Sequence, residues 1–560
     1  MATFNQYIKN GSFLSAEQYK KVQEEQAKVR NSTFYSAIRR SGVMSDERLV
    51  PIACEFFHLV RIKNAFKNRV DFDATKKIMG SIFSAIESRM FVVRVDGETY
   101  FVVNDPENES LRVKVSTTLG KEPIYALITD EEFEVINQYQ LTPYAISSQA
   151  ERIKTSSVAG ASITQQNGDT GENASYTEQL LSMLIEAALD HRASDLHLIP
   201  VSDNAANVIL RVDGEPYYYT TIKSNILGNL RNKLRTMSQV GGETDDKPVE
   251  GQISTIYKGK RIDIRINIVK SISGFDFCLR FIDSNLRALE ELGLTEKNYQ
   301  TFLHLLHMTK GLVILCGPTG SGKTSLLYSG FKKLLSENKL ITTAEDPVEI
   351  KLPGTTQLTA KEDVRGLRYE DLIPSILRQD PDVIGIGEIR KLEVAEQTIQ
   401  AANTGHLVFT TLHSNDSVGA ISRLVDLGLR PYSIGDVLAA VVAQRLIRRV
   451  CPNCTEEYDL PADSPWRKQY HLGDAPIKLK KGCGCSHCAG TGYFGRIAVN
   501  EFLVATPMLR NAIQKNATRT ELEQILQKNG FQSYIQDAID KALQGVTTLE
   551  EVDKLYGDIL

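Results

Sequence analysis

Strict alternation of apolar and polar residues is sharpest in "RIDIRINI", where Ile262, Ile264, Ile266 and Ile268 share one face and Arg261, Asp263, Arg265 and Asn267 the other. Side chains along a strand point alternately to opposite faces, so this period predicts a half-buried β-strand. "FDFCLRF" repeats the pattern, with Phe275, Phe277, Leu279 and Phe281 inward and Asp276 and Arg280 outward, and "NVILRVDG" sets Arg211 and Asp213 on a polar face. A helix-like stretch precedes these strands, which predicts a small α+β domain over 177–288. From 289 to 560 the pattern changes to short, continuously apolar runs, "GLVILCG", "LITTAED", "DVIGIG" and "HLVFTTL", separated by helix-length segments. Strands buried on both faces of an α/β sheet read this way. Residues 499–560 read as helical. Residues 1–146 mix helical periodicity with a strand-like middle, "RMFVVRVDGETYFVVNDP", and predict an amino-terminal α+β domain. Between them, 147–176 is rich in Ser, Gly, Asn and Gln and is expected to be a flexible linker.

A chain of 560 residues exceeds what one hydrophobic core supports, in keeping with this division. With 42% hydrophobic and 24% charged residues it has the composition of a folded globular protein and not of a disordered one. The start "MATFNQYIKNGSF" lacks a signal-peptide pattern, and no apolar run approaches the roughly 20 residues that span a bilayer. A cytoplasmic protein is expected. The formal charge of −4 supplies no global attraction to phosphate polymers, which weighs against a nucleic-acid translocase.

"GPTGSGKT" follows the strand "GLVILC" and opens a helical stretch. It is a phosphate-binding loop in its required context: glycines let backbone N–H groups curl around phosphates, a lysine reaches the β and γ oxygens, and a hydroxyl meets Mg2+. The predicted nucleotide cradle is Gly317, Pro318, Thr319, Gly320, Ser321, Gly322, Lys323, Thr324 and Ser325. Hydrolysis needs further groups to hold metal and water. "TAEDPVE" places Glu345, Asp346 and Glu349 at the end of the next strand, "DPDVIGIGEIR" ends an apolar strand in Glu388, and "TGHLVFTTLHSND" flanks another with His406 and His413. Each of these alone also reads as a cap, a surface acid or a core histidine bonded to a carbonyl.

Five of the eight cysteines fall between 451 and 488. Cys54, Cys278 and Cys316 stand singly in apolar sequence and read as small core residues. In the cluster, Cys451 and Cys454 form one CxxC and Cys485 and Cys488 another. Two such knuckles supply four thiolates to a tetrahedral ion, favouring metal over a disulfide, a redox pair or a nucleic-acid knuckle. Cys483, His471 and His487 are alternative ligands on residue type alone.

The run "GPTGSGKT", "TAEDPVE", "LRQDPDVIGIGEIR", "TGHLVFTTLHSND" and "AQRLIRRVCPNC" resembles the hexameric secretion ATPases that extend type IV pili or drive type II secretion. The resemblance covers nearly the whole chain and is strongest from 180 to 500. It implies a RecA-like ATPase domain over 289–560, preceded by the small domain, with six copies in a ring. ATP and Mg2+ are the implied ligands. By matching position Glu345 would orient or deprotonate the attacking water and Glu388 would hold Mg2+ through water beside Thr324; which glutamate is the base stays open. His406 and His413 fall in the family's histidine box, near the γ-phosphate or the domain seam. Arg211, Arg265 and Arg280 match arginines that the small domain supplies to phosphates. Asp195 and His197, in "ASDLHL", match the entry to that domain and read as structural. Two departures stand out: "VEGQ" puts Gln252 where relatives carry a basic residue, and Lys391 replaces an aspartate.

The family pattern "GCxxCxxTGYxGR" aligns with Gly484 to Arg496 and selects Cys451, Cys454, Cys485 and Cys488 as zinc ligands within a zinc-binding insertion, 449–498. The implied partner is an inner-membrane platform protein, which would hold the cytoplasmic ring at the membrane periphery without a membrane span. The principal expectation is type IV pilus assembly, with type II secretion as the alternative. The amino-terminal domain echoes the family's cyclic di-GMP or partner-binding module. It lacks the "RLG" opening, so partner docking is expected and tight cyclic di-GMP binding is not.

Overall fold

The computed structural model describes residues 3–30, 32–108, 115–118, 123–153, 171–238, 247–282 and 286–557. They fall into two compact units: residues 1–281 with 485–490, and 282–484 with 491–560.

The first unit opens with helices at Phe4–Asn10, Ala16–Lys28, Phe34–Ser41 and Asp46–Phe57. Thr3 and Ser15 start the first two with reciprocal capping boxes to Gln6 and Gln18, which satisfy amide donors that a helix start otherwise leaves orphaned. A four-stranded sheet follows in the order β1-β4-β3-β2, from β1 (Val60–Arg61), β2 (Phe91–Val95), β3 (Glu98–Val102) and β4 (Ile124–Leu127). The β2–β3 pair makes a hairpin of the strand-like middle, turned by Asp96 and Gly97 in left-handed conformation.

Next comes a six-stranded sheet in the order β7-β6-β5-β10-β9-β8. Its strands are β5 (Ala193–Ser202), β6 (Ala205–Val212), β7 (Glu215–Ile222), β8 (Val249–Tyr257), β9 (Lys260–Ser271) and β10 (Gly274–Ile282). The alternation read from the sequence is realised: Ile264, Ile266, Ile268, Phe277 and Leu279 enter one core with Leu196, Leu198, Val208 and Leu210, covered by helices Gly171–Asp190 and Leu227–Ser238.

Helix and strand ends fall close to, but not at, the expected boundaries. The linker was placed at 147–176, but helix Thr142–Arg152 runs through its start and a helix resumes at Gly171; its centre, 154–170, lies outside the described residues. The cause is burial: Ile146, Ala150 and Ile153 pack into the core of the six-stranded sheet, and the Ser147 hydroxyl donates to Thr221 O at 2.6 Å. Residues 1–146 and the small domain fall within the first compact unit. The small domain's sheet ends at Ile282, short of 288, and the second unit begins there.

The second unit is built on a seven-stranded sheet in the order β13-β12-β14-β15-β11-β16-β19. The strands are β11 (Gly311–Cys316), β12 (Ile341–Glu345), β13 (Thr356–Thr359), β14 (Val383–Ile386), β15 (Leu407–Leu412), β16 (Leu438–Val450) and β19 (Tyr493–Val504), and a separate hairpin joins β17 (Thr455–Asp459) to β18 (Lys478–Gly482). The pairings are parallel except β16–β19, which is antiparallel. On β11, Leu312, Ile314 and Cys316 enter one core while Val313 and Leu315 enter another on the opposite face. Covering both faces is what makes "GLVILC" continuously apolar instead of alternating. Among the described residues no helix is long and apolar enough to cross a membrane.

Candidate functional site

The ends of β11, β12, β14 and β15 converge because parallel pairing brings their carboxy-terminal ends to one edge of the sheet. There an open α/β sheet presents its ligand-binding groups. Cys316 at the end of β11 pairs with Leu412 of β15, and Ala344 of β12 with Ile386 of β14.

From β11 the chain turns through residues 317–322 into helix Lys323–Ser336. Gly317, Gly320 and Gly322 have φ of +148°, +76° and +86°, conformations that side chains resist. Space is tight as well. A Cβ on Gly317 would lie 2.5 Å from Gln444 O, and one on Gly322 would lie 2.6 Å from Gln444 Nε2. The Gln444 amide, fully buried on β16, donates to Ser321 O at 2.7 Å and anchors the loop from below. Lys323 Nζ donates to Gly317 O at 2.8 Å and Pro318 O at 2.9 Å, curling over the cradle it helps to form. Burial draws its ammonium below the ordinary lysine range, with Cys316 and Glu388 acting in the opposite direction. Pro318, Thr319, Gly320 and Ser325 are exposed, and Thr324 follows at the first turn of the helix.

Glu345, the last residue of β12, is buried. Its carboxylate accepts hydrogen bonds from Thr343 Oγ1 at 2.6 Å, from Gln357 Nε2 at 3.3 Å and from the Tyr328 hydroxyl. Burial, then the bond to Glu345, pushes the Tyr328 phenol far above its ordinary value, so it remains a donor. Glu388 lies two residues past β14, where Arg390 Nη2 reaches it at 2.7 Å and His413 Nε2 lies 3.3 Å from its other oxygen. The sheet edge therefore carries two carboxylates in different settings: one enclosed by neutral donors, the other paired with a guanidinium and an imidazole.

The two histidines part company. His413 follows the last residue of β15 and joins Glu388, whereas His406 precedes the first, where its carbonyl accepts from Gly311 N at 3.1 Å at the opposite end of β11. Six residues of strand at about 3.3 Å each separate them. His406 therefore lies at the opposite strand end from His413 and the phosphate loop, and its Nδ1 lies 3.2 Å from Thr404 Oγ1 and Ala401 O. Lys391, the departure beside Glu388, pairs with Glu362.

In the first unit the three predicted arginines share the sheet face turned away from the core. Asp195 faces Arg211 across β5–β6 and Arg280 across β5–β10, and Arg265 pairs with Gln252 across β8–β9. Asp195 is buried and accepts from Arg280 Nε at 2.7 Å, with Arg211 Nε 3.8 Å away. Arg211 also donates to Gly214 O at 2.9 Å. Asp195 therefore holds Arg280 and faces Arg211, while the side chains of both arginines stay partly exposed.

Sulfur atoms of Cys451, Cys454, Cys485 and Cys488 lie within 4.8 Å of one another, and Cys485 Sγ is 3.8 Å from Cys488 Sγ. A tetrahedral ion with metal–sulfur bonds of about 2.3 Å spaces its sulfurs by about 3.8 Å, so this donor set fits zinc. None of the four is in a disulfide, and Cys483, His471 and His487 are exposed and outside the set.

Residue-type reasoning missed Gln444 and Tyr328. The first carried a signal, an amide inside the apolar run "LAAVVAQRLI"; the second carried none, being one aromatic on a helix.

Comparison with known proteins follows the same lines. The family model "Type II/IV secretion system protein" matches residues 170–554. The chain is 35% identical over 383 residues to the type IV pilus assembly ATPase PilB of Thermus thermophilus, covering 68% of this chain and 43% of that protein. It is 36% identical over 382 residues to the type II secretion system ATPase E of Vibrio cholerae, covering 67% and 74%. Among solved structures, the DotB ATPases of Legionella pneumophila and Yersinia pseudotuberculosis share the fold, with TM-scores of 0.50 and 0.51 at 21% and 18% identity; each match covers 68% of this chain, and 96% and 93% of theirs.

Proposed function

The chain belongs to the type II/IV secretion system protein family, and from that premise we propose that it is an ATP-hydrolysing motor that powers type IV pilus assembly. One observation carries the reading: a glycine cradle with its lysine, an enclosed carboxylate and a carboxylate–histidine pair share one edge of a parallel sheet. A cradle alone binds nucleotide, and hydrolysis needs groups that position water and balance developing charge.

In this proposal the loop from Gly317 to Ser325 holds the phosphates and Lys323 swings from the loop carbonyls to the β and γ oxygens. Thr324 and Glu388 offer oxygen atoms for Mg2+, directly and through water; bound there, the cation would neutralise phosphate charge. Glu345, fixed by three donors, orients the attacking water. His413 reports on Glu388. Arg211, Arg265 and Arg280 supply guanidinium groups to phosphate oxygens. Cys451, Cys454, Cys485 and Cys488 hold a structural zinc.

The motor is proposed to act as a homohexamer in the cytoplasm, at the periphery of the inner membrane, passing work to a membrane platform protein and not to nucleic acid. The amino-terminal residues, which lie outside the matched family segment, dock a partner and do not bind cyclic di-GMP tightly. A second reading, type II secretion, is favoured by the 36% identity to the Vibrio protein.

Phosphate release from the purified protein tests the activity. Lys323→Ala should lower it by about 10²–10³-fold without changing the thermal melt, and duplex DNA should not stimulate the wild type. Equal release from wild type and variant would refute the reading. Deleting the gene separates the two systems, through loss of surface pili or loss of exported proteins.

A further inference from the structure

The same sheet face that carries the arginines also holds His197 and Cys278, for which phosphate binding supplies no use, beside Asp195. Register puts Cys278 of β10 directly opposite His197 of β5, and Asp195 two residues along on the same face. One ligand atom from each of Asp195, His197 and Cys278 lies within 4.8 Å of the others. Ligands on a single tetrahedral zinc stand about 3.3–3.8 Å apart, a difference within reach of side-chain torsions. His197 Nε2 is buried with no hydrogen-bond partner among the described residues. A ring nitrogen enclosed in this way either costs desolvation or awaits a ligand.

We propose that Asp195, His197 and Cys278 form a second metal site, distinct from the four-cysteine cluster, for a divalent ion of the zinc or cobalt type. Mixed nitrogen, sulfur and oxygen donors select borderline ions of this kind over Mg2+. Three protein ligands leave a fourth position for water, the pattern of an exchangeable site. On binding, the Cys278 S–H bond breaks, its proton passes to solvent, and the sulfur keeps the electron pair that forms the metal bond. The change in local charge is therefore +1. Arg280 Nε donates to Asp195 Oδ1 at 2.7 Å and the Ser194 hydroxyl to Oδ2 at 2.9 Å, with Arg211 Nε 3.8 Å from Oδ2, and each oxygen keeps a further lone pair for a metal. The positive charge of the two arginines weakens the site relative to the cysteine cluster, so it fills second and empties first.

The test is a Co2+ titration of the full chain carrying zinc in its cysteine cluster, followed by thiolate-to-cobalt charge-transfer absorption and by metal analysis after gel filtration. Wild type should take up one further equivalent with a thiolate band. Cys278→Ser should lose the band while retaining the cluster's zinc, and His197→Gln should weaken uptake by about tenfold or more. Circular dichroism and melting curves identify any variant that does not fold; should Cys278→Ser fail, His197→Gln alone decides. No second equivalent in wild type, or an unchanged band in a folded variant, overturns the site.

Discussion

Replacing Gln444 by methionine removes one hydrogen-bond donor while keeping most of the side chain's volume. In the native chain the Gln444 amide, 4% exposed, donates to Ser321 O at 2.7 Å, and Ser321 itself is 3% exposed. Without that donor a buried carbonyl in the phosphate loop loses its partner, at a cost of about 1–3 kcal/mol. If the loop escapes by adopting other conformations, the competent one is depopulated by the corresponding factor, about 5–150-fold. The loop grips phosphates in ground and transition states alike, so the loss should fall on binding and leave turnover largely intact. Titration with a fluorescent ATP analogue should therefore show Kd rising by about 5–150-fold, with kcat within a few-fold of wild type. A second variant sharpens the argument. Gly322→Ala inserts a Cβ 2.6 Å from Gln444 Nε2, at φ +86°. Part of its penalty is collision with Gln444, and that part should vanish in Gln444→Ala. The pair should couple by about 0.5–3 kcal/mol. Unchanged affinity in Gln444→Met, or strict additivity in the double variant, would refute this account of the loop.

Tyr328→Phe removes a donor to the Glu345 carboxylate. A bond to a charged group is worth about 1.5–3 kcal/mol, so kcat should fall by about tenfold or more with KM unchanged, and a rise in KM alone would contradict the role given to Glu345. His413→Ala should lower kcat through Glu388, while His406→Ala should leave kcat within about twofold, an outcome set by the length of β15 between them; equal losses of kcat would contradict the placement. Burial raises the Glu501 carboxyl above its ordinary 4.5. Between 4.5 and that raised value the folded chain binds more protons than the unfolded one, so this group's contribution to stability falls as pH rises through the window. Thermal melts of wild type and Glu501→Gln should diverge in slope there, and parallel curves would count against it. Elemental analysis should find one tightly held zinc per chain, whose chelation lowers the melting temperature; protein without zinc would remove the reading of the four cysteines.

How much of this was legible from residues alone depends on whether the signal is periodic, local or long-range. The alternation in "RIDIRINI" and "FDFCLRF" predicted which face of β9 and β10 is buried, because a period of two is a property of the strand itself. The glycine cradle was legible for a similar reason: φ values that only glycine tolerates leave glycines at fixed spacing. The domain division was less so. The segment from 147 looks like linker by composition, yet Ile146, Ala150 and Ile153 repeat at the spacing of one helical face and are claimed by the core of the neighbouring sheet. That decision is tertiary. Partners of the two sheet-edge carboxylates were the least legible. Tyr328 and Gln357 come from separate elements, and nothing near either in the chain marks them for Glu345.

His406 and His413 show the remaining step. As a pair seven positions apart in "GHLVFTTLH" they look equivalent, and a family resemblance treats them as one box. A strand does not. Six residues of β15 lie between them, and the pairing of Leu407 with Gly311 and Leu412 with Cys316 sends one histidine to the amino-terminal edge of the sheet and the other to the edge that carries the phosphate loop. In a helix the same spacing would have stacked them on one face, since seven residues make nearly two turns. The chemistry each can perform follows from that difference in rise per residue. Only His413 reaches a carboxylate at the site, and its imidazole lies 3.3 Å from Glu388 because β14 and β15 are parallel neighbours in register.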